Sequence, residues 1–374
     1  MHSTRNTAGL LQAWALQLPG QAATHLLRAC LNERPSGQAS WEHFERDVGN
    51  ARRFFEGDCR GLKELLPFIA DSIDCHGLHV DEAFRTYARV ALVREELRGR
   101  IYHDVLRSVR ASLCAEHIDY QCLRGAAISQ RYYDSPLVRH NHAIDILLAP
   151  TDLQRTRSVL LDTFHQTGDS QFEHPSGLPL VLHTRLLDHP FCEDLPCRWP
   201  GDGAGTVPPT TTLLLHVLGT AACSQTHGNL RWVVDAWYLL RDTCGIDWPE
   251  FVAGAVQCGL APFYHQVLRY LREQLDSDVP DAVLTSLEEA SVCDPEAERR
   301  LFSSLLGSHW THRAVWRALA FDRGLRARFL FFTVYPPGRY LRWRHGLASA
   351  GEVSRRRIGR PLRVYQRLNR SAQA

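Results

Sequence analysis

Apolar residues recur every three or four positions through most of the first 110 residues. The pattern is clearest over Trp41–Phe55, Leu62–Cys75 and Val80–Leu106, and it places one apolar stripe along a helix. Leu10–Leu18 carries the same period, and the pattern continues as one helix through Leu26–Leu31. Gln12 and Gln17 interrupt the first of these runs, so it reads as an amphipathic helix and not as an export signal. Pro67 suits the opening turn of a helix, while Gly57 and Gly77 read as connections.

The texture changes near residue 115. Tyr120–Leu123 is a compact apolar run that ends at Gly125, as a buried strand followed by a turn would. Ala126–Tyr133 reads as a short helix, Asp134–Pro136 as a loop, and His142–Leu148 as a strand with Asp145 set among apolar neighbours. Thr151 is expected to cap a helix over Leu153–Phe164, and Leu178–Leu187 reads as a further strand. The stretch 115–190 is thus expected to run strand, helix, strand, helix, strand. Pro190–Pro209 reads as a loop. Its Gly201–Thr206 segment has no lysine after it and no strand before it, so it does not read as a phosphate loop. Helices return over Thr211–Cys223, Leu230–Asp242, Trp248–Gly259 and Pro262–Leu275. The pattern predicts an α+β chain with four parts: helices over 1–112, a small α/β core over 113–200, helices over 201–312 and a tail over 313–374.

Composition narrows this picture. The chain has 374 residues, 44% of them hydrophobic and 22% charged, which excludes a collagen-like or wholly disordered polymer. Its longest apolar run near the C-terminus, Phe329–Tyr335, is far short of the roughly 20 residues of a spanning helix. The 11 cysteines show no C-x-x-C pair, and they read as reduced, mostly buried thiols of a cytoplasmic protein; a zinc knuckle is not expected from their spacing. The net charge of +2 hides an asymmetry. Between Arg313 and Arg370 there are 15 arginines against Asp322 and Glu352, a balance of +13, which leaves −11 for the rest. Aromatics are interleaved with these arginines. The tail is either a solvated helical face or a docking element for an anionic partner, a membrane surface or nucleic acid.

The candidate chemistry lies at 123–148 and 181–183. Leu123, Arg124, Gly125 and Ala126 lead to Tyr133, Pro136 and Arg139, and then to Ala143, Ile144, Asp145, Ile146, Leu147 and Leu148. This resembles a family of bacterial nucleotidyltransferases in which a Leu-Lys-Gly-Ala segment precedes Tyr-x-x-Pro-x-x-Arg-x-x-x-Asp-Ile-Asp-Leu-Leu. Leu182 and His183 resemble its Glu-Leu-His strand, and Leu230–Leu240 with Trp248 its downstream helices. The resemblance spans roughly 40–345. It implies a small mixed-sheet nucleotidyltransferase core flanked by helical domains, a nucleoside triphosphate or other phosphorylated ligand, and Mg²⁺ or Mn²⁺. It assigns Arg124, Gly125 and Arg139 to the nucleotide, and Asp145 to catalysis and the metal.

The physical logic is that Mg²⁺ takes carboxylate oxygens, and two Asp at i and i+2 on a strand share one face. Here the first Asp of the family pair is Ala143 and the third carboxylate is Val181, while its lysine is Arg124. Strand parity puts Asp145 on the face of Ala143 and His183 on that of Val181, so Asp145 and His183 can meet in one cleft. They could take a softer metal or form a base–orienter pair. Asp145 could equally form a structural ion pair with Arg124 or Arg139, His183 could be a hydrogen-bonded core residue, and Arg139 a paired arginine. Asp235, within a helix, reads as a structural contact. Two functions follow: nucleotidyl transfer from a triphosphate to an acceptor, or a catalytically degenerate scaffold or binding protein in a biosynthetic assembly.

Overall fold

A computed structural model describes residues 2–33, 35–57, 59, 61–195, 207–223, 230–241, 245–291, 296–306, 321–347 and 349–358. The Gly201–Thr206 segment and the arginines at 313, 317, 360, 363, 367 and 370 lie outside them. So do Cys197, Cys244 and Cys293.

The fold is mixed α+β, with one five-stranded sheet among many helices. Before the sheet come α1 (His2–Ala15), α2 (Gln21–Leu31), α3 (Ser36–Val48), α4 (Ala51–Glu56), α5 (Leu66–Cys75) and α6 (Glu82–Ala115). The sheet region holds β1 (Tyr120–Leu123), α7 (Gly125–Tyr132), β2 (Ile144–Leu148), α8 (Leu153–Leu160), β3 (His165–Gly168), β4 (Gln171–Glu173) and β5 (Pro179–His183). After it come α9 (Thr210–Cys223), α10 (Arg231–Arg241), α11 (Trp248–Gln257), α12 (Ala261–Leu275), α13 (Asp281–Ser291), α14 (Ala297–Leu305), α15 (Arg323–Val334), α16 (Gly338–His345) and α17 (Ala350–Ile358).

The strands lie in the order β1-β2-β5-β4-β3. β2 runs antiparallel to β1 and parallel to β5. With a neighbour on either edge, β2 is buried at all five positions, which explains an apolar run without alternation. β5 alternates instead: Leu180 and Leu182 face the core, while Pro179, Val181 and His183 are half-buried on the other face.

Several elements differ from expectation for local reasons. The Trp41–Phe55 helix breaks at Gly49, whose φ is +77°, and Asn50 caps α4 by accepting from the backbone N–H of Arg53. Leu10–Leu31 breaks between α1 and α2 around Pro19 and Gly20. Thr151 does not cap α8; it lies inside a 3₁₀ turn over Pro150–Asp152, and α8 ends at Leu160. The β3–β4 hairpin was not expected at all: β3 has no buried residue and β4 buries only Phe172.

Among the described residues, one buried apolar cluster runs from the N-terminal helices to the C-terminal ones. The N-terminal helices close onto the C-terminal ones, α1 against α12 and α14 and α2 against α12. Trp14 meets Phe263 at 5.1 Å between ring centroids, and the hydroxyls of Thr24 and Tyr270 are 3.0 Å apart. Among the described residues no helix is long and apolar enough to cross a membrane.

Candidate functional site

The site is built where β1, β2 and β5 lie side by side. Across β1 and β2, Leu123 pairs with Asp145; across β2 and β5, Asp145 pairs with Val181. Parallel partners point the same way, and His183 follows Val181 by two residues, so Asp145, Val181 and His183 rise from one face. The contact that parity suggests is made: His183 Nε2 is 2.8 Å from Asp145 Oδ1.

A cation reaches the same oxygen. Arg124 Nη1 donates to Asp145 Oδ1 at 3.0 Å. Arg124 links β1 to α7 with φ +49° and ψ −128°, outside the ordinary regions for a residue bearing a Cβ. That strained turn brings the guanidinium back over the sheet. The Arg124 side chain is 41% exposed and that of Asp145 only 4%. Burial by itself would raise the Asp145 carboxyl, but Arg124 and the His183 hydrogen bond outweigh it and hold it down at about 2. Among the described residues, Asp145 Oδ2 takes no hydrogen bond and Arg124 Nε has no partner.

His216, on α9, completes the surroundings and was not anticipated. Its Nδ1 lies 2.8 Å from the Leu186 carbonyl oxygen, which fixes the proton there and leaves Nε2 as a lone pair. That nitrogen is buried without a partner. Burial first, then the charges of Arg124 and His183, push the imidazole down to about 3, so His216 is neutral. Its sequence signal was one polar residue inside the apolar run Leu213–Leu218, which needs an interior partner or purpose.

Gly125 and Arg139 form a different structure. Arg139 is buried, donating from Nε and Nη2 to the two carboxylate oxygens of Asp235, each at 2.7 Å. Its Nη1 donates to Asn141 Oδ1. Tyr133 donates its hydroxyl proton to the same Asp235, at 2.8 Å. A Cβ on Gly125 would lie 2.0 Å from Asn141 Oδ1 and 2.4 Å from Arg139 Nη1, so glycine is needed for this approach. Asp235 is thus a structural contact, as its helical position implied. Arg139 pairs with it and not with Asp145, and its guanidinium is committed inside the fold instead of facing a ligand.

The loop 139–143 is gripped from α6 and α10. Glu95 accepts from the Asn141 backbone N–H at 3.3 Å and lies 2.6 Å from His140 Nδ1. Arg98 donates to the His142 carbonyl, Tyr102 to that of Ala143, and Arg231 to that of His140. His142 is exposed; its partial burial, with Arg231 and Arg98 beside it, lowers its basicity. Arg124 is thus the guanidinium at Asp145 itself, while Arg98 and Arg231 hold the loop that leads into β2.

Divalent-metal chemistry asks for several carboxylate oxygens at one point. Asp145 supplies one carboxylate, its ladder neighbour is Val181, and Ala143 stands two residues before it. The remaining cluster already has a guanidinium where an ion would compete. These residues do not fit a pair of Mg²⁺ ions.

A family model described as an uncharacterised nucleotidyltransferase matches residues 62–276 of the chain. No curated protein and no solved structure matches.

Proposed function

The chain belongs to this uncharacterised nucleotidyltransferase family, and on that premise we propose that it binds a nucleoside triphosphate or similar phosphorylated ligand without a metal and does not transfer a nucleotidyl group. What supports this reading is the convergence of Arg124 Nη1 and His183 Nε2 on Asp145 Oδ1, at 3.0 and 2.8 Å, beside Val181. Arg124 stands in for the metal as the fixed positive charge. One of its nitrogens anchors it to Asp145, its Nε has no partner, and its part-exposed edge can take a phosphate. Gly125, held against Arg139 and Asn141, sets the turn that aims it. Arg139 is then a positioning residue.

A second reading rests on Asp145 Oδ2. With no hydrogen-bond partner, that oxygen could join His183 in holding one Mn²⁺ or Mg²⁺ for nucleotidyl transfer. Pyrophosphate release from each nucleoside triphosphate separates the two. We expect none from the wild type with either ion. Metal-dependent release that disappears in Asp145→Asn would establish the second reading. In the variant Ala143→Asp/Val181→Glu, three carboxylates would share the face, and Mg²⁺ affinity should appear. The arginine-rich tail is proposed to dock on an anionic surface, supported by its charge balance alone.

A further inference from the structure

Away from this site, the chain leaving β5 turns back on itself. The backbone N–H of Cys192 bonds the carbonyl of His189, so both side chains project from one tight turn. Cys223, the last residue of α9, comes up beside them. The three ligand-type atoms all lie within 4.8 Å of one another. The two sulfurs are 3.8 Å apart, and His189 Nδ1 is 3.6 Å from Cys192 Sγ.

These separations match a coordination geometry. With Zn–S at about 2.3 Å and Zn–N at about 2.05 Å, a tetrahedron sets its sulfurs about 3.8 Å apart and nitrogen to sulfur about 3.6 Å. A disulfide would need the sulfurs at about 2.05 Å.

The tautomer also suits a ligand. Ser303 gives its own hydroxyl proton to the Arg300 carbonyl at 2.8 Å, so it accepts from His189 Nε2–H at 2.7 Å. The lone pair is therefore on Nδ1, toward the sulfurs. A partner on the far nitrogen is the usual support for a metal-bound histidine. The Phe191 backbone N–H approaches Nδ1 at 3.3 Å, a weak contact that an ion would displace. His189 and Cys192 are buried, and the Trp343 ring stands 5.2 Å from the imidazole.

We propose that His189 Nδ1, Cys192 Sγ and Cys223 Sγ are three ligands of a tetrahedral zinc site that clamps the segment after β5 to the end of α9. Thiolate and imidazole donors select Zn²⁺ over Mg²⁺ or Ca²⁺. Binding sends the two thiol protons to solvent, and the resulting thiolates balance the ion. The fourth vertex is left to a donor outside this trio. The clamp bears on the first site because the segment it fixes carries the Leu186 carbonyl that orients His216. Spacing along the chain hid the site, because Cys192 and Cys223 are 31 residues apart.

The test uses the full chain purified with reductant. Elemental analysis should find one zinc per chain. After chelation, Co²⁺ should restore tetrahedral d–d bands and a thiolate-to-cobalt charge-transfer band. That band should weaken in Cys223→Ser and persist in Cys75→Ser. Ser303→Ala, which leaves all three ligands, should weaken Zn²⁺ binding roughly 10- to 100-fold. Three results would each overturn the proposal: wild-type protein that lacks zinc and gives no charge-transfer band with Co²⁺, zinc content equal in the wild type and Cys192→Ser/Cys223→Ser, or a Cys192–Cys223 disulfide in a metal-free chain.

Discussion

At the scale of single residues, the site depends on two groups whose charge states are set by their neighbours. Asp145 ionises well below its ordinary 3.8, at about 2, in the folded chain. It therefore contributes stability that is complete above about pH 4 and lost as the pH falls toward 2. Because Arg124 is part-exposed, that contribution is about 1–2 kcal/mol. Asp145→Asn should lose this amount at neutral pH and nearly nothing near pH 2, as read by urea denaturation. His216 behaves in the same direction for a different reason. Burial keeps it neutral down to about pH 3 against an ordinary 6.5, so its contribution is full above pH 6.5 and shrinks as the pH falls. His216→Gln should flatten the stability profile between pH 6.5 and pH 4 by about 3 kcal/mol; an unchanged slope would show that His216 titrates normally. The Asp145–His183 contact was legible from strand parity, because period two leaves no choice of face. The Arg139–Asp235 pair was not, since 96 residues separate the partners and nothing local couples them.

At the scale of elements, the junction of β1 with α7 has no room for a side chain at Gly125. Gly125→Ala would drive a methyl into Asn141 and Arg139. It should cost about 2–4 kcal/mol, with the shift read by chemical denaturation. Asp235→Asn removes one charge of a buried pair that ties α10 to the 139–141 loop, at about 3–5 kcal/mol. Wild-type stability in either variant would mean that the loop is held elsewhere. Long periodic elements such as α6 were readable because burial writes the helical period into the sequence. The β3–β4 hairpin was not, since an exposed edge pair needs no apolar alternation. The cysteine cluster was equally hidden, because it is assembled by tertiary packing of a turn onto a helix end.

For the whole molecule, the charge is divided: 313–370 carries +13 and the remainder −11. Within the described part of the tail, Phe329, Phe332, Tyr340 and Leu341 pack inward, so α15 and α16 belong to the folded body. The segment 350–374 is the part to remove. The full chain should sediment with anionic vesicles at low salt and release as salt rises, and deletion of 350–374 should weaken this; equal recovery of both forms would reject the docking role.

Under the proposed function, Arg124, pinned on Asp145, does for a polyphosphate what a metal ion would otherwise do. Calorimetric titration of nucleoside triphosphates into the full chain, in chelator and then in Mg²⁺ or Mn²⁺, tests it most directly. Binding should appear in chelator, gain nothing from either ion and fall at least about tenfold in Arg124→Gln. Binding that requires metal and vanishes in Asp145→Asn, or no binding under any condition, would contradict it.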